Sequence, residues 1–253
     1  MKHSMKFLLA LAPIALLAAC GGGDDDLDDR LDIADPKVRF VHAIPAGPDV
    51  TLFRGANAQS DATDVPYLFA SKYFDVDSGD ATWSVKTSTG SLDVGAVTFD
   101  AKRGNKYSLL AVPSSSVTEM VLIDDPYNKG LTADNARVRV FNASFNAGSI
   151  DVYLNAPGTD LAGVSPTFPA VAYKAASPAS GSDSVDLPGG TYQMRITNAG
   201  TKNVIFNAPV TLNVNADWLV LSLPASATPD DVKALVVQSD DDTPAATELT
   251  TTP

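Results

Sequence analysis

The chain has 253 residues, with 18 Lys and Arg against 30 Asp and Glu, 45% apolar residues, one Cys and two His. That length and apolar fraction support one or two domains with a real core, and they exclude a wholly disordered chain and a bundle of membrane spans. The acid excess, with no basic patch to neutralise phosphates, argues against nucleic acid as a partner.

Residues 1–19 read as a lipoprotein signal peptide. Lys2 and Lys6 form a basic region and Phe7 to Leu17 an apolar one, too short to span a bilayer and interrupted by Pro13. Leu17-Ala18-Ala19-Cys20 closes the segment and resembles a bacterial lipobox, a reading taken over an ordinary secretory signal with an incidental Cys. Cleavage between Ala19 and Cys20 would make the only cysteine the lipid anchor, leaving neither a disulfide nor a thiolate for a metal. Acyl chains contribute about 0.8 kcal/mol per buried methylene, so two or three of them would hold the protein to a membrane. Gly21, where an Asp would signal inner-membrane retention, implies by the same resemblance an outer-membrane location, facing periplasm or cell surface.

Without the leader, 16 positive and 30 negative side chains remain, a net charge of −14. Residues 24–35 account for −6 of it and residues 239–253 for −4. Residues 20–36, glycines followed by self-repelling aspartates, read as a flexible acidic tether rather than a calcium loop, because nothing fixes the carboxylates in a converging turn.

Beyond the tether the sequence repeats itself. Val38-Arg39-Phe40-Val41-His42-Ala43 and Val138-Arg139-Val140-Phe141-Asn142-Ala143 lie 100 residues apart, and Val50-Thr51-Leu52-Phe53 answers Ile150-Asp151-Val152-Tyr153 at the same offset. Ala81 to Lys86 answers Gly190 to Arg195 at an offset of 109, Tyr107 to Pro113 answers Trp218 to Pro224, and Met120-Val121-Leu122 answers Leu235-Val236-Val237. Five blocks in conserved order predict two tandem domains, 37–125 and 136–239, joined by a linker at 126–135 and followed by a disordered tail at 240–253.

Within each copy the apolar period is two, in short β-branched segments near 38–43, 50–54, 67–76, 81–87, 94–99, 106–112 and 118–123, separated by Pro, Gly, Asn, Asp and Ser. The expected fold is all-β: two tandem Ig-like antiparallel β-sandwich domains without disulfides. The first strand of each copy (VRFVHAIPAGPDVTLF and VRVFNASFNAGSIDVYL) and the turn Leu187-Pro188-Gly189-Gly190-Thr191-Tyr192 resemble the bacterial domain-of-unknown-function family 4397. The resemblance implies a secreted or lipid-anchored β-sandwich module, often in tandem, and supplies no catalytic motif. The first copy departs from it, with Ser78-Gly79-Asp80-Ala81 at the turn.

His42, the only histidine beyond the leader, matches Asn142, and the pair is read as tying down the loop after the first strand rather than as a catalytic base. Asp75-Val76-Asp77-Ser78-Gly79-Asp80 has alternating carboxylates, but its glycine is fifth and Lys86 stands where a bidentate Glu is needed, so it reads as a hairpin turn. Asp124, Asp125, Asp134 and Asn135 bracket the joint between the copies and are the candidate metal ligands, since tandem sandwiches can stiffen such a joint with a shared calcium ion. Trp83 with Tyr192, and Tyr107 with Trp218, match between copies and read as packing. Tyr67, Phe69, Tyr73, Phe168 and Tyr173 lie where the copies differ most and are the candidate ligand platform.

No nucleophile elbow, phosphate loop, dinucleotide fingerprint, HExxH or CxxC motif is present, so no catalytic residue and no cofactor are assigned. The expectation is a non-catalytic lipid-anchored surface protein. It would contact the membrane through Cys20 and an envelope or extracellular protein or polysaccharide through its loops or sheet edges, the alternative being a carbohydrate- or calcium-binding module.

Overall fold

The computed structural model describes residues 34–113, 118–126, 135–239 and 246–252. Ala19, Cys20, most of the tether, and Asp134 lie outside the described residues. Among the described residues, no helix is long and apolar enough to cross a membrane.

The first half contributes β1 (Lys37–His42), β2 (Val50–Arg54), β3 (Asn57–Ala58), β4 (Phe74–Asp75), β5 (Gly79–Thr87), β6 (Asp93–Ala101), β7 (Lys106–Val112) and β8 (Glu119–Asp125). They form two sheets, β4-β1-β7-β8 and β3-β2-β5-β6. Alternate side chains of both sheets, among them Val38, Phe40, Leu52, Trp83, Val85 and Leu109, meet in one buried core.

The second half follows with β9 (Ala136–Asn142), β10 (Ile150–Asn155), β11 (Phe168–Val171), β12 (Ala176–Ser177), β13 (Val185–Leu187), β14 (Gly190–Asn198), β15 (Val204–Leu212), β16 (Asp217–Pro224), β17 (Val232–Gln238) and β18 (Ala246–Leu249). Its sheets are β12-β9-β16-β17-β18, with β13 also on β9, and β11-β10-β14-β15. Val138, Val152, Met194, Ile196, Phe206 and Val220 fill the core between them. The all-β, two-sandwich fold is the expected one, and a chain with a single cysteine closes no internal disulfide.

Several expectations are corrected by the pairing. β1–β7 and β9–β16 run parallel, so the sheets are not purely antiparallel. The chain leaves β1 for the other sheet and returns beside it in the same direction, a crossover that only a parallel pair accommodates. Of the strand expected at 67–76, only Phe74–Asp75 is regular. Leu68, at φ 72°, breaks the extended backbone, although Phe69 and Ser71 still hydrogen-bond to β1. Asp75–Gly79 is not a hairpin turn either: β4 pairs with β1 and β5 with β2, so the segment is a corner between sheets.

The repeat register shifts as well. Val50 pairs with Thr87 as Ile150 pairs with Asn198, which sets the β5–β14 offset at 111, not 109. Gly79 and Gly190, both at positive φ, open these strands at the same offset. Trp83 therefore answers Met194, and Tyr192 answers Ala81. On the last strand Leu122 occupies the place of Val236, one position from the sequence match, because a run of apolar residues looks alike in either register. The tail is not disordered throughout: Ala246–Leu249 pairs with Ala234–Val237, and Glu248 meets Lys233 at 2.8 Å.

β7 and β16 are buried along their whole length. One face of each fills its own sandwich. The other meets the neighbouring half, where Val41, Leu110 and Val112 pack with Phe141, Leu219 and Leu221 in a third apolar core. Each leucine withdrawn there stabilises by about 2 kcal/mol, so the halves form one stacked body rather than beads on a linker.

Candidate functional site

The seam between the halves changes character along its strands. β1 and the residue after it read Arg39, Val41, Ala43 on the seam side, and β9 and the residue after it read Arg137, Arg139, Phe141, Ala143, so charge lies at the strand starts and apolar surface beyond. At the charged end Lys106 Nζ lies 3.1 Å from Asp217 Oδ2, and Arg137 bridges Asp217 at 2.9 Å and Asp125 at 3.0 Å. Burial alone would raise the Asp217 carboxyl, but Lys106 and Arg137 hold it down at about 2. Arg137 is driven upward by the same two carboxylates, against the effect of its burial.

Of the candidate metal ligands, the carboxylates of Asp124 and Asp125 are each engaged by other side chains. Asp125 accepts from Arg137 and from Ser184 Oγ at 2.8 Å, with Arg139 at 3.6 Å. Asp124 accepts from Asn105 Nδ2 at 2.9 Å, and burial pushes its carboxyl up. The joint is therefore neutralised by cations from the chain itself, and no cluster of three His, Cys, Asp or Glu side chains occurs among the described residues.

The candidate aromatic platform does not assemble. Phe168 is 1% exposed and offers no ring face to a ligand, and Phe69, half-buried, packs against the first core. Tyr73 lies under Arg39, 4.7 Å from its centroid, and Lys106, at 5.5 Å; burial pushes its phenol up. Tyr67 lies under Lys233 of the other half at 5.0 Å, and the Tyr173 hydroxyl donates to the Pro113 carbonyl across the seam. These three tyrosines seal the joint.

His42 does what its position implies. Ile44 N–H donates to Nδ1 at 3.4 Å, which leaves the proton on Nε2, 3.1 Å from the Pro48 carbonyl. Asn142 repeats this with Ser144 N–H donating to Oδ1 at 3.0 Å and Nδ2 donating to the Gly148 carbonyl at 2.7 Å. Burial lowers the imidazole's proton affinity, as a ring spent on accepting an N–H requires. The role is architectural in both halves.

A groove of about 520 Å³ opens on the outer face of β14 and β15, away from the seam. Gln193, Arg195 and Asn207 form its floor, Arg195 standing in register between Tyr153 on β10 and Asn207 on β15. One wall is the turn at Gly158 and Thr159, braced by Thr159 N–H and Oγ1 on the Ala156 carbonyl. The opposite wall is Thr252, whose N–H donates to the Asn207 carbonyl at 2.7 Å.

The floor is polar and incompletely paired. Gln193 Nε2 donates to Asn207 Oδ1, and Asn207 Nδ2 donates to the Thr252 carbonyl at 3.3 Å. Arg195 Nη1 donates to the Thr159 carbonyl at 2.7 Å, while its Nε and Nη2 are shielded from water and have no acceptor among the described residues. Asn155 Oδ1, on the adjacent strand, is likewise buried and unpaired.

Sequence reasoning missed this site for an identifiable reason. At an offset of 109 Arg195 answers Lys86, basic for basic, and draws no attention. At the true offset it answers Ser84, and Gln193 answers Thr82, which in the first half meets Thr98 Oγ1 at 2.8 Å. The signal available was the divergence of outward positions between halves whose inward positions agree.

Residues 36–153 match the family model described as a domain of unknown function (DUF4397). The match covers the first half together with β9 and the start of β10, to Tyr153. No curated protein matches the chain. Among solved structures, a crystal structure of CBMbc (family CBM26) from Eubacterium rectale Amy13K in complex with maltoheptaose is similar at 13% identity and a TM-score of 0.25, covering 81% of this chain and 98% of that one.

Proposed function

We propose that this protein is a non-catalytic, lipid-anchored interaction module of the bacterial cell envelope, with both halves copies of one domain family. In this reading Cys20 carries the acyl chains in the outer membrane, residues 20–36 space the body from it, and the outer face of the second half meets an envelope or extracellular polysaccharide. The observation that carries the reading is the groove on β14 and β15. Its floor side chains are outside both sandwich cores, and its charged member keeps unpaired donors. A saccharide is favoured over a protein because amide, hydroxyl and guanidinium groups suit a hydroxyl-rich ligand, with Val204 as the one apolar wall residue.

Protease digestion of tagged cells, intact and then permeabilised, tests the envelope part, with Cys20→Ala as control. Retention in the membrane fraction, lost on Cys20→Ala, is expected. Equal membrane retention of that variant contradicts the anchor, and hydrolysis of a bound polysaccharide by the purified chain contradicts the non-catalytic reading.

A further inference from the structure

Arg195 stands on an outer sheet face. It has no carboxylate partner among the described residues, although the chain carries 30 acidic side chains. A guanidinium offers its donors in fixed pairs, and Nε–H with Nη2–H form one edge, spaced to match the two oxygens of a carboxylate. Those are the two groups left without an acceptor, while the Thr159 carbonyl holds the opposite corner through Nη1. A buried donor without an acceptor carries a desolvation cost that an incoming acceptor reverses.

The surroundings fit an anionic sugar better than a bare anion. Gln193 and Asn207 are linked to each other in line with Arg195, and Thr159 and Thr252 place backbone and hydroxyl groups on both walls. Lys202 adds positive charge on the β10 side, where Nζ donates to Tyr153 Oη at 3.0 Å. The overall acidity of the chain acts only weakly here, since exposed charges beyond about 8 Å are screened at physiological salt.

Resting on the saccharide reading above, we propose that the groove recognises a carboxylate-bearing saccharide, a uronic acid unit, with the Nε/Nη2 edge of Arg195 gripping the carboxylate. Because that edge is shielded, gripping a carboxylate requires the guanidinium to turn and Nη1 to release the Thr159 carbonyl, and Gln193 and Asn207 take the neighbouring hydroxyls.

The test is calorimetric titration of the full chain with trigalacturonic acid and with galactotriose, its neutral counterpart, at low and high salt. Trigalacturonic acid is expected to bind at least tenfold more tightly than galactotriose. Arg195→Gln should lose at least tenfold of that affinity, and Arg195→Lys, which keeps the charge without the fork, should lose most of it. Equal binding of the two trisaccharides overturns the carboxylate inference and leaves the saccharide reading standing. Binding of an Asp/Glu heptapeptide with neither trisaccharide bound overturns both, as does absence of binding by every probe. The comparison of ligands on the unaltered chain decides the matter even if an Arg195 variant folds poorly.

Discussion

Lys106 and Asp217 belong to different halves of the chain, yet the ammonium and carboxylate meet at 3.1 Å, both almost wholly withdrawn from water. Removing one partner of a buried pair leaves the other uncompensated, so Asp217→Asn should cost about 3 kcal/mol in urea unfolding at neutral pH. A loss below 1 kcal/mol would mean that the seam's charged end contributes nothing to stability.

The same carboxyl gives a pH dependence. Its value in the fold, about 2, lies below the unfolded value of about 3.9. The stabilisation is therefore complete above about pH 4 and disappears as the pH falls through about 2, an amount on the order of 2 kcal/mol. Unfolding free energies measured across that window should fall for the parent chain and flatten for Asp217→Asn; parallel curves would assign the acid sensitivity elsewhere.

His42 and Asn142 hold the same loop with the same two hydrogen bonds. His42→Asn should therefore stay within about 1 kcal/mol of the parent, whereas His42→Leu, which strands the Ile44 N–H and the Pro48 carbonyl, should cost about 2 kcal/mol. Thermal melts of the two variants check this. If Leu is tolerated as well as Asn, the side chain does not tie down the loop.

Much of the fold was readable because strand alternation is a local signal. The seam was not read: the sequence implied halves joined by a linker, and the run Tyr107-Ser108-Leu109-Leu110-Ala111-Val112, buried on both faces, does not say which surface covers its second face. Register escaped as well: Leu122 against Val236, and Arg195 against Ser84, depend on turn lengths that an apolar pattern does not encode. The groove escaped with them, because its walls come from a turn and from the last residues of the chain, distant in sequence from its floor.

At Gly95 the backbone of β6 passes close to that of β8. A Cβ there would stand 2.7 Å from the Met120 backbone nitrogen, a contact that no side-chain rotation relieves. Gly95→Ala should destabilise by about 2 kcal/mol, and an unchanged melting temperature would show that the two sheet edges can part there without cost.

Deleting residues 246–253 should lower the melting temperature, because it exposes the edge of β17 and removes the Lys233–Glu248 pair, a loss of about 2 kcal/mol. An unchanged melt would show that β18 does not secure the second sandwich. The deletion should also weaken any ligand of the groove, since Thr252 is one of its walls.

The claim at the centre of the account is that the protein works by contact, through the outer face of β14 and β15. The most direct measurement is an array of envelope and extracellular polysaccharides probed with the full chain and with Gln193→Ala/Asn207→Ala. The account predicts that the parent retains acidic polysaccharides and the double variant loses at least tenfold of that signal. Signals unchanged by the two substitutions, or turnover of any arrayed polysaccharide, would contradict it.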